Sequence, residues 1–341
     1  MLGKLDKLNY KKGMVGLSLA GLIFQAQAEV LVILPESGPM ARAGNSIKQG
    51  IVAAQQASIA KLPFKFVNSD QKNIKDVLKT NVNKKTQMVI GPLDRNDVEI
   101  LIQDNPKIPV LALNEVTAQH PNVWQFSLSK DEDATALLNV LKKDKIKQIY
   151  VMRQQGTEQN TLSFINALYK KFDGHVAIVE TMPPLKSKDG LLLLGNNVWI
   201  NSLNAIPKKR VYAQAISIEE NQSIPLGLKF CDVPGIYQNT WKDLIELSRK
   251  QPTSMAYQRL YAFGGDAWQI AEQMILNPTV KTMKFNGRTG LLKLNDPFAQ
   301  LSSTQSKTAQ SNEAQLNRNL INRVERTPIC FENTAKGLVA L

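Results

Sequence analysis

Five consecutive apolar residues, Val30-Leu31-Val32-Ile33-Leu34, stop at the turn-rich Pro35-Glu36-Ser37-Gly38-Pro39. An unbroken run of that length suits a strand covered on both faces, as in the interior of a parallel sheet. Helical period follows, with Ala43, Ile47, Ile51 and Ala54 on one face. The alternation then repeats. Phe64 to Val67 reads as a strand, Ile74 to Val82 as a helix, and Met88 to Ile90 as a strand ending at Gly91-Pro92. Asp94 to Ile102 reads as a short helix capped by Asp94, Pro109 to Leu113 as a strand ending at Asn114, and Val123 to Leu128 as a fifth strand. Strand and helix in turn predict a doubly wound α/β sheet with right-handed crossovers.

The pattern then restarts. Ser129 caps a helix running to Lys143, with Asp131, Glu132 and Asp133 in its dipole-favoured first turn. Strands at 149–152, 176–179, 191–194 and 211–216 follow, with helices at 157–172 and near 198–203 between them. Helices are expected at 241–249 and 254–276, and a hairpin at 285–294 split by Gly287 and Gly290. Residues 29–128 plus about 251–331 are expected to form lobe 1, and residues 129–250 lobe 2, with a hinged cleft between them. The Ser/Thr/Gln/Asn-rich 299–317 reads as a flexible insertion and 332–341 as a tail.

Ahead of the first strand, Lys4, Lys7, Lys11 and Lys12 precede an apolar run from Gly13 to Phe24, which closes on Ala26-Gln27-Ala28. The run is shorter than the roughly 20 residues that cross a bilayer, and its small-x-small ending suits a signal peptidase. Residues 1–28 are expected to be a signal peptide cleaved between Ala28 and Glu29, with no lipid anchor, no transmembrane span and a periplasmic location. Cleavage takes the net charge from +13 to +10. The densest basic groups, Lys142 to Lys147 and Lys208-Lys209-Arg210, are not interleaved with aromatic residues. They read as solvated helix ends or loops rather than a nucleic-acid patch. In an envelope compartment a positive surface faces anionic wall polymer, anionic lipid or an acidic partner.

Cys231 and Cys330 are the two cysteines. Export permits a disulfide, and the sequence leaves open whether they form one. Together with the isolated His120 and His175 they make no metal site, and nothing calls for a cofactor. The chain has no glycine-rich phosphate loop, G-x-S-x-G elbow or H-E-x-x-H, and Glu219-Glu220 lies in polar loop sequence. Catalysis is therefore not expected. Ligands of open α/β sheets bind at the carboxyl ends of strands. Ser37, Gly38, Gly91 and Asn114 occupy those ends and are the ligand-cleft candidates.

Several segments in order resemble one family. They begin with Leu34-Pro35-Glu36-Ser37-Gly38-Pro39-Met40-Ala41-Arg42-Ala43-Gly44, Val89-Ile90-Gly91-Pro92-Leu93, Pro109 to Asn114 and Trp124-Gln125-Phe126-Ser127-Leu128-Ser129. They continue with Phe230-Cys231-Asp232-Val233-Pro234, Arg259 to Trp268, Phe285-Asn286-Gly287-Arg288-Thr289-Gly290 and Val324 to Phe331. Together they are similar to the LpoA/LppC-type penicillin-binding protein activators. The resemblance implies a type I periplasmic-binding fold and a non-catalytic role in regulating a class A penicillin-binding protein during peptidoglycan synthesis, and the excess positive charge makes peptidoglycan itself a further candidate partner. Family members known for this role are outer-membrane lipoproteins with a lipidated Cys and an N-terminal helical-repeat domain. This sequence goes from signal peptide to first strand and is expected to be a soluble variant. The alternative from the strand-end residues is a receptor for a small polar solute such as an amino acid, peptide or muropeptide.

Overall fold

The computed structural model describes residues 29–250, 253–279, 282–295 and 322–341. Residues 1–28, where a signal peptide ending at Ala28 is expected, and the polar stretch 299–317 lie outside the described residues. Glu29 begins the first strand.

The first sheet is built from β1 (Glu29–Leu34), β2 (Phe64–Asn68), β3 (Thr86–Ile90), β4 (Val110–Ala112) and β5 (Val123–Gln125). Its order is β2-β1-β3-β4-β5 and every pairing is parallel. The helices α1 (Ala41–Ala57), α2 (Ile74–Asn81) and α3 (Arg95–Gln103) make the crossovers. The unbroken apolar run of β1 now has its reason. Val30, Val32 and Leu34 face a core shared with Ile47 and Ile51 of α1, while Leu31 and Ile33 face one shared with Val77 of α2 and Val98 of α3. Fully burying a side chain of this kind stabilises by about 1.5–3 kcal/mol, so both faces of the strand contribute. Asp94 starts α3 by accepting the backbone N–H groups of Asn96 and Asp97 at 2.9 and 3.3 Å.

The second lobe repeats the plan. Its elements are α4 (Lys130–Lys143), β6 (Gln148–Arg153), α5 (Glu158–Lys171), β7 (His175–Val179), β8 (Asp189–Leu194), α6 (Asn197–Ser202), β9 (Val211–Gln214) and β10 (Leu228–Asp232). The run β7-β6-β8-β9-β10 copies the order of the first sheet. Phe230 of β10 is fully buried. Beyond β10 come α7 (Lys242–Lys250) and α8 (Met255–Leu276). The latter returns to the first lobe and lies against α1, with Phe263, Ala267 and Ile270 in that core. The two helices touch backbone to backbone. A Cβ on Gly264 would sit 2.1 Å from the Ile47 carbonyl oxygen, and one on Gly50 would sit 1.9 Å from that of Tyr261. A small antiparallel sheet of β11 (Thr282–Asn286), β12 (Leu291–Asn295) and β13 (Val324–Thr327) adds Leu292, Leu294 and Val324 to the same core.

Two sequence expectations fail at the end of the chain. Residues 324–331, expected with the rest of 251–331 in lobe 1, do not all stay there. Pro328 divides them into β13 and β14 (Ile329–Thr334), and β14 pairs antiparallel with β10 in the second sheet. Proline lacks the N–H that would continue the ladder, so the chain leaves one sheet there and enters the other. Nor are residues 332–341 a tail. Asn333 and Thr334 turn through Ala335 and Lys336 into β15 (Gly337–Ala340), the edge strand of the second sheet. β15 is only four residues long and exposed along its length, so its Leu338 and Val339 are too short a run to mark a strand in sequence. The strand β10 carries a weak signal in sequence, because Lys229 and Asp232 interrupt its apolar residues.

Candidate functional site: the cleft between the lobes

The chain passes between the lobes three times: between β5 and α4, between β10 and α8, and at Pro328. A cleft of about 310 Å³ opens beside the first passage. Arg95, Asn114 and Glu115 line it from the first lobe, Lys130 and Asp131 from the second, and Phe263 of α8 from beneath.

Of the four predicted cleft residues, Asn114 lines this space. Its amide is already engaged: Nδ2 donates to the Leu93 carbonyl at 2.9 Å, and Oδ1 accepts the Glu115 N–H at 2.9 Å and Arg95 Nε at 3.3 Å. Ser37, Gly38 and Gly91 are not among the lining residues. The Ser37 hydroxyl donates to Asp70 at 2.7 Å and accepts from the Asn68 amide at 3.1 Å. Gly38 has φ of 72°, and a Cβ there would meet Asp70 Oδ1 at 2.5 Å. Gly91, with φ of 99°, lies so close to the Ile33 carbonyl that a Cβ would sit 2.1 Å from its oxygen. These three residues build turns at the strand ends.

Charged groups that no motif or spacing marks frame the passages. Arg326 of β13 pairs with Asp133 at 2.5 Å and with Glu132 at 3.3 Å, and its backbone N–H donates to Glu132 at 2.8 Å. Both acids sit in the first turn of α4, where they also suit the helix dipole. Burial pushes the Glu132 carboxyl up to about 7, against the opposing pull of Arg326 and Arg323. Glu115 pairs with Arg323 at 2.6 Å and accepts the Ser127 hydroxyl at 2.5 Å. At the second passage Arg259 of α8 grips Asp232 and donates to the carbonyls of Ala215 and Ile218 at 2.7 and 3.2 Å. Tyr237 adds a hydroxyl donor to Asp232 at 2.6 Å. Fully buried Asp266 accepts the N–H groups of Arg288 and Thr289 and the Thr289 hydroxyl, all at 2.7 Å. That holds the β11–β12 turn on α8.

Cys231 and Cys330 face each other across the β10–β14 pairing and are joined in a disulfide. Cys231 therefore lies within a strand. His120 sits in the turn before Pro121, with Nε2 2.7 Å from Asn105 Oδ1, and His175 opens β7. Among the described residues no three His, Cys, Asp or Glu side chains are grouped to hold a metal ion.

Comparison with known proteins accords with this architecture. Residues 17–181 match the family model "LppC putative lipoprotein". The penicillin-binding protein activator LpoA of Haemophilus influenzae is 21% identical over 295 residues, covering 78% of this chain and 51% of that protein. LpoA of Aliivibrio fischeri is 24% identical over 78% of this chain and 54% of its own length. The chain thus spans about half the length of the curated relatives it matches. Among solved structures, the C-domain of H. influenzae LpoA, a regulator of PBP1A, superposes with a TM-score of 0.69 at 18% identity, over 92% of this chain and 100% of that one. A "putative branched-chain amino acid ABC transporter" from Chromobacterium violaceum reaches 0.70 at 22% identity, over 89% of this chain and 99% of that one. The fold is that of the type I periplasmic binding proteins, two doubly wound lobes about a cleft. Residues 17–181 thus resemble the LppC family, and the chain carries the fold of the LpoA C-domain.

Proposed function

We propose that the chain is a non-catalytic periplasmic protein that binds and regulates a class A penicillin-binding protein during peptidoglycan synthesis. The observation that carries this reading is the superposition on the whole of a C-domain described as a regulator of PBP1A, joined to the LppC-type family match. The site chemistry agrees with it. The polar side chain that sequence reasoning placed in the cleft spends its donors and acceptors on its own lobe, and the lobe passages are pinned by ion pairs. Such a cleft serves better as a rigid spacer between binding faces than as a trap that closes on solute. No helix of the described residues is long and apolar enough to cross a membrane.

A receptor for a small polar solute is the second reading, favoured by the 310 Å³ cleft and the likeness to the transporter component. The test is glycan polymerisation and crosslinking by a purified class A synthase of the same organism, with and without the purified chain. A rise in either rate on addition of the chain supports the first reading. No change in rate and no binding, together with a thermal shift on adding amino acids or muropeptides, supports the second.

A further inference from the structure

The two densest basic runs of the sequence come together at one end of the second lobe, away from the cleft. Lys147 precedes β6, Lys188 precedes β8 and Arg210 precedes β9, on neighbouring strands of the sheet. The Lys147 N–H donates to the Lys188 carbonyl at 2.9 Å, and the Leu191 N–H to that of Arg210 at 2.9 Å. Beside this row, where α4 and α5 both end, a groove of about 510 Å³ opens. Buried Ile146 and half-buried Leu138 and Phe172 line it with apolar surface, and Lys142, Lys145 and Lys147 stand exposed around it. Lys171 also borders the groove but is engaged with Asp131 and Thr135. Asp173 is the one acid among the described lining residues. The nearby Asp144 is already held by Lys229 and Tyr212. Lysines at helix C-termini satisfy the helix dipole. That accounts for Lys142 but not for Lys145 and Lys147, which lie beyond the helix, nor for an apolar floor between the charges.

We propose that this lysine-rimmed groove is the docking site for an acidic peptide segment of a protein partner, one that places an apolar side chain between carboxylates. The groove sets the choice of occupant. A lipid surface is flat and leaves a concave apolar floor unfilled, whereas a peptide fills it with one side chain and meets the rim with its neighbours. Lysine supplies mobile point charges suited to carboxylates at varied positions, rather than the planar fork of arginine. The inference rests on the reading of the chain as a protein-binding regulator.

The test uses the full chain and a fluorescein-labelled peptide repeating Glu-Glu-Leu, followed by fluorescence anisotropy at low and high salt. Vesicles containing anionic phospholipid form a second arm and the purified class A synthase a third. The combined substitution Lys142→Glu, Lys145→Glu and Lys147→Glu should weaken peptide binding roughly tenfold, as three exposed charge contacts are lost together. The matched set Lys79→Glu, Lys84→Glu and Lys85→Glu on the first lobe should leave it unchanged. All six lysines are exposed, so folding is expected to survive, and circular dichroism checks it. Equal weakening by the two sets overturns the site, and so does lysine-dependent vesicle binding without peptide binding. Synthase that binds the parent and the groove variant equally overturns docking there while leaving the proposed function standing. Lysine-dependent peptide binding by a chain that no synthase recognises does the reverse.

Discussion

Arg259 holds Asp232 through two nitrogens, Nε at 2.9 and 3.1 Å and Nη2 at 2.8 Å, and so ties α8 of the first lobe to the last residue of β10 in the second. Asp232 is 2% exposed. Arg259→Ala leaves that carboxylate buried with the Tyr237 hydroxyl and the Val233 N–H as partners. The expected loss is about 3–5 kcal/mol of stability, the range for removing one partner of a buried pair. Denaturant unfolding should show the midpoint fall accordingly, with Arg259→Lys losing less. An unchanged midpoint would show that the clasp does not hold the lobes.

Glu132 gives the first passage a pH dependence. Burial raises its carboxyl from 4.5 to about 7 despite Arg326 and Arg323, with the charge of Glu115 adding to the rise. The native chain then holds this proton more tightly than the unfolded chain does. Its contribution to stability is whole below pH 4.5 and is lost as pH rises through about 7. Glu132→Gln should flatten the stability profile across that window. A parent and variant whose profiles run parallel from pH 4.5 to 7 would contradict the assignment.

The disulfide closes a loop of 99 residues that contains α7, α8 and the three strands β11, β12 and β13. In the chain-entropy model a loop near that length stabilises by roughly 4–5 kcal/mol. Reduction, or Cys231→Ser with Cys330→Ser, should lower the unfolding midpoint while the synthase response persists, since neither cysteine lines the cleft. Alkylation finding two free thiols in native exported protein would remove the bridge from the account.

Much of the fold was legible in the sequence because its signals are local. The apolar runs of β1, β3 and β8 and the 3.6-residue stripes of α1 and α8 report burial directly. The end of the chain was not. Whether β14 joins the first or the second sheet depends on Pro328 and on the free edge of β10, which sequence order does not show. The site divides in the same way. Of the residues chosen by strand-end position, Asn114 lines the cleft, while Ser37, Gly38 and Gly91 sit in local turns. Arg326 with Asp133, 193 residues apart, and Arg259 with Asp232 are pairings made by topology. No spacing pattern predicts them.

The α1–α8 contact should be intolerant of a single methyl group. Gly264→Ala places a Cβ against the Ile47 backbone, which cannot swing aside as a side chain can. Moving two packed helices apart costs about 1–3 kcal/mol. Thermal unfolding of the purified variant measures it. A midpoint equal to the parent's would show that the helices lie further apart than described.

The central claim is that this chain engages a class A penicillin-binding protein directly. Biolayer interferometry with the purified chain immobilised and the detergent-solubilised synthase of the same organism in solution tests it most simply. The account predicts saturable binding that survives disulfide reduction and weakens as salt screens the lysine-rimmed pole. Absence of binding at low salt, with the chain shown folded and the synthase active, would contradict it.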